Sequence, residues 1–140
     1  MKYLAIKALC TFFVFTQFII AQFDPGAKQI ALSNSDVAVS DNVFALFSNP
    51  AGLAQIDQSE IGAFFSPSPF GMSELKNAYA ALSYPMNFGT MAIGGMVYGF
   101  ELYKESEISI GGSYNYRTSF YLGGTLNYKN ISIKNYPTLV

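Results

Sequence analysis

From Glu107 to Arg117, alternate positions carry opposite chemistry. Ile108, Ile110, Gly112, Tyr114 and Tyr116 form one set, and Glu107, Ser109, Gly111, Ser113, Asn115 and Arg117 form the other. Successive side chains of a strand point to opposite faces, so this run predicts a strand with one apolar and one polar face. Residues 120–129 repeat the pattern, with Phe120, Leu122, Gly124, Leu126 and Tyr128 set against Gly123, Thr125, Asn127 and Lys129. Each run has about ten residues, the length at which a tilted strand crosses a bilayer. The expected facing is therefore Ile110, Tyr114, Leu122 and Leu126 toward lipid. Ser109, Asn115, Arg117, Thr125, Asn127 and Lys129 are expected to face a barrel lumen.

Three earlier strands are predicted at 60–66, 77–84 and 90–101. In the first, Ile61, Ala63 and Phe65 share a face; in the second, Ala78, Ala80, Leu82 and Tyr84 do. Alternation is weak in the third, and Gly94-Gly95 there predicts a bulge or a close backbone contact. Residues 78–100 contain no charge, which raises a transmembrane helix as an alternative. Pro85, Asn87 and four glycines punctuate that run as two strands and a turn instead. The predicted connections are 67–76 (long), 85–89 (short), 102–106 (charged) and 118–119 (tight). Barrels of outer membranes put long loops outside and short turns in the periplasm, so 67–76 and 102–106 are expected outside.

The N-terminal part reads differently. Lys2 and Lys7 precede an apolar run, 8–20, that ends at small Ala21, which predicts an export signal cut before Gln22. From 22 to 58 no strand is expected. Asp24-Pro25-Gly26 is a turn, and 33–36 is polar and loop-like. Ser40 or Asp41 is expected to cap a short helix over 42–47. Asn49 is expected to cap a second turn with Pro50 in its first position. Gly52 permits a close turn, and Leu53 anchors it in an apolar interior.

Composition narrows the chemistry. There is no histidine, and the single cysteine, Cys10, lies within the export signal. Nucleophile–base pairs and transition-metal centres thus lose their usual residues, and no catalytic, cofactor or metal site is expected. Without Lys2 and Lys7, two of the eight basic residues, the chain carries a net charge of −3 against nine acids. Nucleic-acid binding is not expected from that balance. With no tryptophan in the sequence, an interfacial girdle would rest on tyrosine and phenylalanine. Glu101, Glu105 and Glu107 are expected to be solvated, since their spacing does not suit calcium.

The expected organisation is an export signal at 1–21, a hatch-like segment at 22–58 and five strands at 59–140. The fold class is all-β: the N-terminal part of an antiparallel transmembrane β-barrel, preceded by a short helical hatch segment. Five strands are too few to close such a barrel, so further strands or further copies are expected to complete it.

Residues 33–54, SNSDVAVSDNVFALFSNPAGLA, carry a resemblance. This stretch resembles the N-terminal motif of the FadL-like outer-membrane proteins, and within them the PorV/PorQ-type proteins. Asp41, Phe44, Phe47, Asn49, Pro50, Ala51, Gly52 and Leu53 match that motif. The resemblance implies a barrel of about 14 strands with an internal hatch. It implies a place in the outer membrane, in contact with its lipid. It also implies support of protein secretion of the type IX kind, with secretion components or exported cargo as partners. The alternative within the group is a FadL-like channel for hydrophobic small molecules. Outside the group, a soluble exported β-domain with an adhesive or structural role remains. Asn49 to Gly52 read first as architecture and second as lining of a ligand path.

Overall fold

The computed structural model describes residues 25–33, 35–117 and 120–134. The expected export signal, the 118–119 turn and residues 135–140 lie outside them. Five strands form one antiparallel sheet in the order β1-β2-β3-β4-β5. They are β1 (Glu60–Ser66), β2 (Asn77–Met86), β3 (Gly89–Gly99), β4 (Tyr103–Arg117) and β5 (Phe120–Ile133). Every strand pairs with its sequence neighbour, and among the described residues β1 and β5 leave the sheet open at two edges.

The uncharged run 78–100 is the β2–β3 hairpin, and among the described residues no helix is long and apolar enough to cross a membrane. Its turn is tighter than expected. Pro85 pairs with Thr90 and Met86 with Gly89, which leaves only Asn87 and Phe88 between the strands. The charged connection expected over 102–106 is also shorter, because β4 begins at Tyr103. No bulge occurs at Gly94-Gly95, where the register of β3 runs unbroken against both neighbours. The irregularity falls in β4 instead, between Asn115 and Arg117. There Arg117 pairs with Phe120, which takes its backbone out of step with Ser113 and Asn115.

Before the sheet runs a chain of short helical turns. These are α1 (Ala27–Ala31), a 3-10 turn at Ser35–Val39, α2 (Ala45–Ser48) and a 3-10 helix at Pro50–Gln55. The first two were not legible in the sequence. This segment lies across one face of the sheet, and the core sits between them. Val43, Ala45, Leu46, Leu53 and Ile56 come from the segment, and Ala81 and Ala92 from the sheet. Phe44 and Phe47 pack on its margin.

Candidate functional site: the covered and the uncovered face of the sheet

The register sorts the sheet into two faces of unlike chemistry. On the covered face, cross-strand neighbours read Gly62, Ala81, Gly94 and Ser109 in one row, and Glu60, Ser83, Ala92, Gly111 and Thr125 in the next. These side chains are small or polar. On the other face, Ile61, Leu82, Ile93, Ile110 and Leu126 form a continuous row. All five are exposed, Ile61 by 86% and Leu126 by 81%. A water-soluble sheet buries its apolar face and wets its polar one. Here the arrangement is reversed.

Small residues on the covered face are seats for the N-terminal segment. A Cβ on Gly62 would lie 2.6 Å from the Val43 side chain. On Gly94 it would lie 2.8 Å from the Phe47 ring, and on Gly111 2.7 Å from Leu46. On Gly123 it would lie 2.2 Å from the Ala51 backbone nitrogen. Phe47 also meets the ring of buried Tyr79 edge-on, with centroids 5.4 Å apart.

Hydrogen bonds fasten the same contact. The Thr125 hydroxyl donates to the Leu46 carbonyl at 3.2 Å, satisfying an orphan acceptor at the end of α2. Thr90 donates to the Ile56 carbonyl at 3.5 Å. The start of α2 is held differently from the sequence expectation. Neither Ser40 nor Asp41 caps it. The Asn42 side chain accepts from the Phe44 N–H at 3.0 Å, and Glu60 of β1 accepts from the Val43 N–H at 2.9 Å.

The motif residues each find a structural task. Asp41 pairs with Lys28 of α1, and this hydrogen bond holds its carboxyl below the usual carboxylate range. Asn49 does not cap the following turn. Its amide donates to the Val37 carbonyl at 2.7 Å, tying that turn to the Ser35–Val39 turn. Pro50 does occupy the first position of its helix, and Leu53 is fully buried. Gly52 faces Ser40 so closely that a Cβ would lie 2.1 Å from the Ser40 carbonyl oxygen.

Of the polar residues singled out by alternation, the Arg117 side chain lies outside the described part, and the other five do not form one cluster. Ser109 is fully buried and Thr125 half-buried, both on the covered face. Asn127 and Lys129 share that face but are exposed, as is Asn115 beyond the edge of the core. Lys129 reaches Glu107, with Nζ 3.0 Å from Oε2, and Ser109 donates to Oε1 at 2.9 Å. Glu107 is only 5% exposed, which corrects the expectation that the three glutamates are solvated. It needed an ion pair and a hydroxyl to be buried at all. Glu101 is exposed and pairs with Lys134, and Glu105 accepts from the Tyr103 hydroxyl.

On the uncovered face, the chemistry changes along the strands. Among the residues that point outward from β1 to β5, none between Ala78 and Tyr84, Met91 and Val97, or Ser106 and Tyr114 is charged. At the end with the tight turn, Tyr84, Phe88, Tyr114, Tyr116 and Phe120 are all exposed. The Tyr116 and Phe120 rings meet edge-on at 6.4 Å. On β4, Ile108 to Tyr116 extends about 27 Å at the usual strand rise.

Comparison with known proteins adds no neighbour: no family model, curated protein or solved structure matches the chain.

Proposed function

We propose that this sheet is part of the wall of an outer-membrane β-barrel, that its uncovered face meets lipid, and that the N-terminal segment is a hatch inside the barrel. The observation that carries the proposal is the reversed packing. A row of large aliphatic side chains crosses the free face, while the covered face carries mostly small or polar side chains, with Phe64, Tyr79 and Met96 its larger apolar ones. In water such a face is an unsatisfied apolar surface; in a bilayer it is the ordinary exterior. The length supports this: 27 Å along strands tilted by 35–45° gives about 21 Å of height, near the 25 Å apolar band of these barrels. Exposed aromatic rings at the tight-turn end match an interfacial girdle.

The motif bears on the choice of function. The N-terminal segment lies over β3, β4 and β5 and is fastened there by side-chain hydrogen bonds, but a hatch is implied for the whole FadL-like group and does not separate its members. Residues 33–54 resemble the PorV/PorQ-type proteins more closely, which favours a barrel supporting protein secretion or surface export over a FadL-like route for hydrophobic compounds. Exported cargo or secretion components are then its partners. The test is fractionation of producing cells together with an export assay in cells lacking the protein. The proposal expects the chain in carbonate-resistant outer membranes and cargo retained in the periplasm when it is absent. Recovery in the soluble fraction would overturn the membrane reading. Normal cargo export with impaired uptake of hydrophobic compounds would overturn the secretion reading.

A further inference from the structure

The uncovered face ends in two lysines. Gly99 of β3 pairs with Lys104 of β4, and its N–H donates to the Lys76 carbonyl at 2.9 Å. Lys76, Gly99 and Lys104 therefore lie in one cross-strand row. Asn77 is buried on the covered face, so Lys76 before it points the other way. The Tyr103 hydroxyl reaches Glu105, so those two share a face and Lys104 points opposite. Both lysines are exposed, and neither forms an ion pair among the described residues. Strand spacing puts the β2 and β4 backbones about 10 Å apart. Gly99 offers no side chain between them, so two flexible ammonium groups can converge on one anion.

Directly along the strands from this row lies a groove of about 410 Å³. Ala78, Ala80, Gly95, Val97, Ser106 and Ile108 line it, and Gly95 makes its floor low. From Lys76 to Ala80 is about 13 Å along β2. The two features thus form a continuous path, cationic at one end and apolar along the rest.

We infer that Lys76 and Lys104, with the groove over Gly95, bind a phosphate-bearing lipid, whose phosphate sits between the ammonium groups and whose acyl chain lies in the groove. This rests on the membrane reading above. Charge complementarity selects the lipid: a zwitterionic headgroup gains little from two unpaired cations, whereas a phosphate monoester gains from both.

The test uses the full chain, extracted from membranes in which it was assembled and placed in nanodiscs. The probes are phosphatidic acid and phosphatidylcholine, each with a photoactivatable group in the acyl chain, and labelled residues are mapped. Phosphatidic acid should label the groove in preference to phosphatidylcholine. At roughly fivefold per lysine near a membrane surface, Lys76→Gln/Lys104→Gln should lower this labelling about 30-fold. Ala80→Phe, from an exposed position, should block groove labelling with both lysines intact. Excess inorganic phosphate should not compete. Equal labelling by both lipids, an unaffected double lysine variant, or unaltered labelling in Ala80→Phe would overturn the site while leaving the membrane reading in place. Absence of labelling by either lipid anywhere on the uncovered face would overturn the membrane reading itself.

Discussion

Single residues decide whether the N-terminal segment can dock. Leu53 is fully buried, and Leu53→Ala should cost about 2–5 kcal/mol through lost burial and an unfilled cavity. Gly52→Ala should be comparably harmful for a different reason, because its Cβ would collide with the Ser40 backbone, which has no flexible end to move aside. Both losses would be read as earlier release of the segment in denaturant, followed by protease cleavage between residues 40 and 58. Asp41 gives a weaker, pH-dependent effect. Lys28 lowers its pKa, so the pair adds stability above the unfolded value near 3.8 and loses it as pH falls through the lower folded value. Both groups are well exposed, so the pair contributes little. Hydrogen-exchange protection of α1 should be flat from pH 8 to 5 and fall only below about pH 4; in Asp41→Asn that acid step should vanish. The sequence showed the residues of this site but not their partners. Asn49 next to Pro50 reads as a local cap, yet its amide reaches back to Val37. The helix start was misassigned because its second acceptor, Glu60, comes from β1 and no local pattern reveals a contact across 17 residues.

At the scale of elements, the strands were legible where the two faces differ and illegible where they do not. β4 and β5 alternate plainly, because aliphatic and aromatic side chains face hydroxyls, amides and charges. In β3 the covered set is Thr90, Ala92, Gly94 and Met96, and the uncovered set is Met91, Ile93, Gly95 and Val97. Both sets are small or apolar, so period-two contrast disappears although the strand is regular. The glycines carried a meaning that alternation alone does not give. Gly123 and Gly124 are adjacent and look equivalent in sequence. Gly123 lies under the Pro50–Ala51 backbone, while Gly124 has nothing within 4 Å of a built Cβ. Gly123→Ala should therefore displace the Pro50–Gln55 helix and expose it to protease, whereas Gly124→Ala should leave it protected. Limited proteolysis of the two variants side by side checks this, and equal behaviour would mean that the segment does not seat on β5.

For the whole molecule, the two faces of the sheet call for two different media. Two open edges leave unpaired N–H and C=O groups that lipid cannot satisfy, so further strands or further copies must pair with them in a membrane. Arginine should be costly on the uncovered face near mid-height, about 2–4 kcal/mol for Ile110→Arg or Leu126→Arg, and far less for Asn127→Arg on the other face. Assembly yield in the outer membrane reports this difference. The most direct measurement is thiol labelling. The only cysteine of the sequence is Cys10, so a protein processed at Ala21 would carry no other thiol. Single cysteines at Ile110, Leu126, Asn115 and Asn127, all exposed positions, would be offered a membrane-confined and a water-confined maleimide in assembled protein. In the proposed barrel, Ile110→Cys and Leu126→Cys react from the lipid phase, and Asn115→Cys and Asn127→Cys from water. Water-phase labelling of all four, or the reverse assignment, would contradict it.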